Sequence, residues 1–394
     1  MPMIATPLTS ESFTTLRETR AVVDCAAFRH NLDYALRLAQ KGSSACGIIP
    51  VIKADAYGHG MVPLSHEVVA WGSRWAGVAT ADEAVLLRSV HPAERLRVLV
   101  MGPVSPAALQ PLAEAGVSVA MGNHRLLKAL AGLEHRPTIH LKVDTGMGRY
   151  GFLPEEVPAV LDVLGTLKIV PEGLMTHFSV ADEVDEDSLN YTGEQLRRFD
   201  EIARVFRSLF PGLILHTGNS GAAMFHPEAA FDFYRPGMML YGAHPNPGLR
   251  DPDLSPVMSL HTAITSVHQH PAGSAISYGR TFVFQEPGST GILPIGYGDG
   301  LPRRLSNRGQ VILRGRRVPM IGRVCMDQTM VNITGLSPLP EGEEVVLFGA
   351  QGEERILLEE FATWAETIPY EITCQIGRRI PREYVNASGS VGGN

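Results

Sequence analysis

Cysteine is scarce: Cys25, Cys46, Cys325 and Cys374 are the four in 394 residues, and they form no C-x-x-C pair. That argues against a disulfide scaffold and a structural zinc site, so no metal is expected, and a reducing compartment suits the chain. Long apolar runs are missing too. No stretch approaches the roughly 20 residues needed to span a bilayer. The opening MPMIATPLTSESFTTLRE lacks a basic start followed by an apolar block. The expectation is a soluble, cytoplasmic protein without a membrane partner. Basic residues are in deficit, 34 against 41 acidic, so no positive surplus exists to neutralise a phosphate backbone, and nucleic acid is not an expected partner. There is no evident repeat or low-complexity tract, and the G-x-S-x-G, H-E-x-x-H and Walker A patterns are absent.

What is present reads as a globular chain. At roughly 150 residues per domain its length allows two or three domains, and 40 glycines with 28 prolines imply many turns. From about residue 20 to 245, short β-branched apolar runs alternate with segments of helical period. That is the pattern of parallel strands joined by crossover helices, so the class is α/β. Strands are predicted at 21–24, 47–54, 75–79, 96–101, 117–120 and 138–143, with more near LMTHF, LILHT and MMLYG. Their number suits a closed barrel, although an open doubly wound sheet fits the same pattern. Helical stretches include AAFRHNLDYALRLAQ and EQLRRFDEIARVFRSLF, whose apolar residues 196, 199, 202 and 206 share one face. The segment 242–256, rich in Pro, Gly and Asp, is the expected boundary. Beyond it, strand-like runs follow closely with one clear helix, LLEEFATWAE, predicting a mainly antiparallel β domain over 250–385. The tail ASGSVGGN is expected to lack order.

The stretch VIKADAYGHG, 51–60, carries the first chemistry. Lys53 ends an apolar run, and on a barrel strand it would stand at the C-terminal end, where this architecture places active sites. A partly buried lysine of lowered pKa is what Schiff-base chemistry on a carbonyl cofactor requires; a lysine snorkelling at a strand end is the plain alternative. In LKVDTGMGRYGF, 141–152, Gly146, Gly148 and Gly151 satisfy G-x-G-x-x-G. Yet this is about the sixth strand, and Lys142 and Arg149 bring two cations to one turn, so the glycines are read as turn formers rather than a dinucleotide site. His177, His216, Asn219, Ser220 and the run Arg235–Met238 fall where barrel enzymes often bind phosphate, with Ser220, Gly237 and Met238 as candidate donors. Tyr278 in ISYGRTF and Tyr370 in PYEITC, taken singly, read as ordinary amphipathic packing.

Taken in order, VIKADAYGHG, LKVDTGMGRYGF, THFSVADE, HTGNSGAA, RPGMMLYG, ISYGRTF, PIGYGDGLPR, GRVCMDQ and PYEITC resemble the alanine racemase family, over about residues 20–385. The resemblance implies a (β/α)8 barrel at 20–245 binding pyridoxal 5'-phosphate, a C-terminal β domain at 250–385, and a segment 1–19 packing on the latter. Lys53 would carry the cofactor covalently. Tyr57, Ser220, Gly237, Met238 and Tyr370 would bind its phosphate, His177 would lie against the ring, and Arg235 would face the ring nitrogen. A guanidinium does not readily protonate that nitrogen, which steers chemistry intrinsic to the cofactor toward prompt reprotonation. The implied reaction interconverts L- and D-alanine, supplying or consuming D-alanine for the bacterial cell wall. Two bases on opposite faces suit it, Lys53 for the D-isomer and Tyr278 for the L-isomer, with His177 and Arg149 as sources of positive charge or of a hydrogen bond to the Tyr278 phenolate. Arg149 and the N–H of Met326 would hold the substrate carboxylate. Tyr278 and Met326 would reach the partner subunit's site, which implies a head-to-tail homodimer. Lys142 would be carbamylated and so hold Arg149; an exposed, solvated Lys142 is the alternative. Asp182, Arg303 and Arg323 would line the entrance.

The chain departs from the family pattern at Tyr150 and Tyr234, where aliphatics are usual, at Gly218 and Gly298, often Ala, and at Leu301, often aromatic. These leave the pocket's shape open, so serine or a broader set of small amino acids remains an alternative substrate class. A non-catalytic barrel that binds the same cofactor is a rival, disfavoured by a second domain carrying Tyr278 and Met326. A decarboxylase of the same fold type is disfavoured by Arg235, and a sugar-phosphate barrel enzyme would leave Lys53 without a partner carbonyl.

Overall fold

The computed structural model describes residues 17–389 apart from 247 and 337. It divides into two compact units: residues 24–257 with the chain from 386, and residues 258–385 with the chain up to 23.

The first unit is a barrel of eight parallel strands. Around the barrel, Gly47–Ile48, Phe233–Tyr234, Ile214–His216, Gly173–Met175, Ile139–Lys142, Ser118–Met121, Arg97–Val100 and Trp75–Val78 are successive neighbours. A parallel bridge between Val51 and Gly77 joins the two ends. Helices cover these strands outside, so both strand faces are buried; 75–78, 118–121 and 139–142 expose no residue. That two-sided burial is why these strands read as continuous apolar runs. The helix Cys25–Gly42 starts where Asp24 accepts from the N–H groups of Ala26 and Ala27, and it buries Phe28, Leu32, Ala35 and Ala39. The helix Glu186–Leu209 buries Phe199, Ile202 and Phe206, the face marked by apolar spacing.

Two predicted strands have other fates. Residues 20–24 pair antiparallel with Met258–Ala263 in the second unit rather than joining the barrel. Their burial alternates, as in a strand with one solvated face, whereas barrel strands such as 75–78, 118–121 and 139–142 are buried throughout. The MMLYG run is a 3-10 turn, Met238–Tyr241, and the eighth strand is Phe233–Tyr234. Pro236 has no N–H to continue a ladder, and a short, wholly buried apolar run does not distinguish strand from turn by periodicity. The segment 242–256 packs on the barrel: Asn31 accepts from Ser255 N at 2.9 Å and donates to Ser255 O at 2.8 Å, and Tyr34 donates to Asp251 at 2.7 Å. The division therefore falls after Val257.

The second unit is built on a ten-stranded, mainly antiparallel sheet. Among the described residues it carries two helices rather than one, Leu358–Trp364 and Pro369–Gln375, the second beginning at PYEITC. Of the leading segment 1–19, residues 1–16 lie outside the described residues. Arg17 donates to Asp299 Oδ1 at 3.0 Å, and Thr19 Oγ1 lies 2.8 Å from Thr262 Oγ1. Of the tail, 390–394 lie outside the described residues. Ser388, contrary to expectation, is tied to the barrel unit through its N–H and hydroxyl to Glu67 at 2.7 and 2.6 Å. No helix among the described residues is long and apolar enough to cross a membrane.

Candidate active site

Lys53, half-buried, opens an unusual turn. Ala54, Asp55, Ala56 and Tyr57 all lie in the left-handed helical region, with φ of 52–53°. Such a conformation costs about 1–2 kcal/mol per non-glycine residue, so it persists only where its surroundings enforce it. Glu83 accepts from Ala54 N at 2.6 Å while completing the capping box of the helix Ala81–Val90, and Asp55 accepts from Met61 N at 2.7 Å. The turn holds Lys53 Nζ 5.9 Å from the centre of the Tyr57 ring.

Ser220 Oγ accepts from Gly237 N at 2.9 Å and Met239 N at 3.4 Å. A Cβ on Gly237 would stand 2.4 Å from the Tyr57 hydroxyl, so glycine is what lets that hydroxyl approach the backbone. Tyr57, Ser220 and Gly237 are thus brought together as anticipated. Met239, adjacent to the anticipated Met238, supplies the second N–H to Ser220.

Arg235 is buried in the barrel's interior. Its guanidinium donates to Thr176 O and Thr217 O, both at 2.6 Å, to His216 Nδ1 at 2.9 Å, and meets His177 Nδ1 at 3.3 Å. Burial pulls its pKa down to about 9, so it remains a cation at neutral pH. Burial, then Arg235 and Lys142, hold His177 well below the ordinary histidine range, leaving it neutral. His177 is therefore not a source of positive charge, because desolvation among cations removes its proton first; the alternative role, a hydrogen bond, needs no charge. Lys142 is buried, not solvated as the plain alternative required, and burial, Arg235 and Arg149 together pull it down to about 7 against the opposing effect of Asp144. Arg149 itself is exposed. Its loop is organised by Asp144, which accepts from the N–H groups of Gly146, Met147, Gly148 and Arg149 at 2.7–3.1 Å. Gly146, Gly148 and Gly151 all have positive φ, so they serve the turn as inferred.

Lys53, Lys142, His177, Ser220 and Arg235 all stand at or beyond the C-terminal ends of barrel strands. Tyr278, Met326 and Tyr370 belong to the other unit, where Tyr278 is 73% and Met326 54% exposed. Glu83, Asp144 and Met239 were not anticipated, nor was the buried His140 behind His216, whose Nδ1 lies 2.7 Å from His216 Nε2 and whose Nε2 lies 3.0 Å from Glu172. Glu83 had a visible signal, the T-x-x-E of a capping box. His140 and Glu172 had none, since only the barrel brings them together.

A lysine on an enforced turn, a buried guanidinium among neutral imidazoles and a hydroxyl cradle share the barrel end at which enzymes of this architecture carry their active sites. The chain belongs to the alanine racemase family: residues 23–245 match its N-terminal domain and 257–384 its C-terminal domain. An alanine racemase of Geobacter sulfurreducens is 40% identical over 94% of this chain and 98% of its own length. The structure of alanine racemase from Streptomyces coelicolor has a TM-score of 0.85 at 34% identity, covering 94% of this chain and 99% of that one. The Bartonella henselae alanine racemase structure, with covalently bound pyridoxal phosphate, has a TM-score of 0.82 at 26% identity, covering 93% and 99%.

Proposed function

We propose that this chain is a pyridoxal-phosphate-dependent racemase of alanine, working in the cytoplasm as a head-to-tail homodimer. The observation that carries the reading is Lys53, on its enforced turn, at the same barrel end as a buried, still cationic Arg235. An amine, a guanidinium, neutral imidazoles and the Tyr57–Ser220–Gly237 cradle suit a phosphorylated pyridine aldehyde. When bound, that group withdraws electrons from the substrate's α-carbon and acidifies its C–H bond.

The chain's residues do the rest. Lys53 would be the attachment point; Tyr57, Ser220, Gly237, Met238 and Tyr370 would bind the phosphate, and His177 would lie against the ring. Arg235, which keeps its proton, would face the ring nitrogen and supply it with no proton. Lys53 Nζ takes or returns the α-proton of the D-isomer, and Tyr278 Oη that of the L-isomer, each acting as acid in the opposite direction. Arg149 and the Met326 N–H hold the substrate carboxylate. The exposure of Tyr278 and Met326 supports their serving a second copy of the chain. Lys142, with its lowered pKa, has neutral amine available to react with carbon dioxide, and the resulting carbamate would hold Arg149.

The test is chiral analysis of D-alanine formed from L-alanine by purified protein supplied with cofactor, beside Lys53→Ala. D-alanine made only with the lysine present is expected; none, with cofactor bound, overturns the substrate or reaction. Serine as the better substrate would reassign specificity alone. Tyr278→Phe is expected to suppress L-to-D turnover at least a hundredfold, the ordinary worth of a positioned base, with cofactor binding retained. Full activity would remove the second base.

A further inference from the structure

The guanidinium of Arg235 is one end of a hydrogen-bond chain that runs the height of the barrel. Beyond Arg235, His216 Nε2 lies 2.7 Å from His140 Nδ1, and His140 Nε2 lies 3.0 Å from Glu172 Oε2. Both rings are fully buried. Glu172 and Arg97 stand at the N-terminal ends of their strands, opposite the end that carries Lys53. There Glu172 Oε1 takes an ion pair from Arg97, while its Oε2 also accepts from Ser118 Oγ at 3.2 Å. Arg97 in turn lies 4.1 Å over the Trp75 ring. The space for the His140 ring exists because residue 173 is glycine: a Cβ there would fall 2.2 Å from His140 Nδ1.

The two ends dictate the direction of every proton between them. Arginine only donates, and an ionised carboxylate only accepts. Arg235 N–H must therefore meet a bare His216 Nδ1, His216 Nε2–H a bare His140 Nδ1, and His140 Nε2–H the carboxylate. Any reversed ring would set a donor against a donor inside a dry interior, where an unmet polar contact costs most.

We propose that Glu172 is a positioning residue for Arg235: through His140 and His216 it fixes the tautomer that lets His216 accept from the guanidinium. The functional part of this rests on the reading that Arg235 faces the cofactor's ring nitrogen. In Glu172→Gln a single oxygen remains. The Arg97 cation claims it, the amide NH2 turns to His140 Nε2, and both imidazoles reverse, bringing His216 Nδ1–H against the Arg235 N–H. Removing Arg97 as well frees the oxygen to turn back toward His140 and restores the original direction.

The experiment is 15N NMR of histidine-labelled holoenzyme, with His216 assigned by its loss in a His216 variant, beside racemisation kinetics. Wild type and Arg97→Met are expected to show bare, pyridine-type Nδ1 on His216. Glu172→Gln should show it protonated, with kcat reduced roughly 10- to 100-fold, as for outer partners that orient a ligating imidazole. Glu172→Gln/Arg97→Met should recover both the bare nitrogen and most of kcat. A protonated His216 Nδ1 in wild type, or no change in Glu172→Gln, overturns the proposal, as does a reversed tautomer with full turnover while Arg235→Lys is impaired. If Arg235→Lys is fully active too, the fault lies in the role given to Arg235, not in the direction of the chain.

Discussion

Replacing Gly218 by alanine would place a Cβ 2.5 Å from Cδ1 of Tyr234 and 2.6 Å from its Cε1, with the Ala222 Cβ also at 2.6 Å. The resemblance marks both Gly218 and Tyr234 as departures, and these distances predict that they act as one compensated change: the bulky ring occupies what a methyl group would need. The pair also touches the site, because Arg235 N donates to Gly218 O at 2.8 Å. Overpacking of this kind costs about 1–3 kcal/mol. Gly218 is not among the residues of positive φ, so alanine adds no backbone strain and recovers about 0.4–1 kcal/mol from a less flexible unfolded chain. A net loss of about 1–2 kcal/mol is expected for Gly218→Ala. Tyr234→Leu shrinks a buried ring and deletes the hydroxyl that donates to His226 O at 2.6 Å, a loss of about 2–4 kcal/mol. The double variant removes the ring clash but not the Ala222 contact, so the two losses should fall short of additivity by about 1 kcal/mol. The assay is denaturant unfolding at fixed protein and cofactor concentration, with Gly218→Ala/Tyr234→Phe as the control that keeps the ring and the clash. Additivity within about 0.3 kcal/mol in the leucine pair would refute the compensation.

Three other outcomes are expected. In CO2-free buffer, Lys142 binds its proton more weakly folded, at about 7, than unfolded, at the ordinary lysine value of 10.5. The unfolded chain therefore holds the extra proton across that window, and this group's contribution to stability rises with pH from about 7 and is lost below it. Lys142→Met should flatten the dependence, and added bicarbonate near pH 8 should raise the midpoint of unfolding only with the lysine; density for a bare amine under those conditions would discard the carbamate. Ala54 is exposed with φ of 52°, so Ala54→Gly should raise stability by about 1 kcal/mol while lowering kcat, since the turn then enforces the Lys53 position less firmly; unchanged unfolding would show the turn to be unstrained. Asp24→Ala should cost about 1–2 kcal/mol through loss of the cap on Ala26 and Ala27, read as a lower midpoint in the same unfolding assay, and an unshifted midpoint would assign the cap no weight.

Much of this protein is a local matter and could be read along the chain. Barrel strands such as 75–78 and 139–142 are buried on both faces, and so declared themselves as continuous apolar runs. The helix face at 199, 202 and 206 followed from its period. Lys53 stood out because an ammonium ending an apolar run needs a reason, and Gly146, Gly148 and Gly151 because a turn needs positive φ. Tertiary structure decided what depends on neighbours distant in sequence. Residues 20–24 join the antiparallel sheet because their alternating burial suits a one-sided strand, and 238–241 turn because Pro236 ends the ladder. The neutrality of His177 and the depressed pKa of Lys142 arise from desolvation and then from cations gathered from separate strands. The line from Arg235 through His216 and His140 to Glu172 left no trace in spacing or composition, because hydrogen bonds across a barrel interior join residues that only the closed sheet brings together.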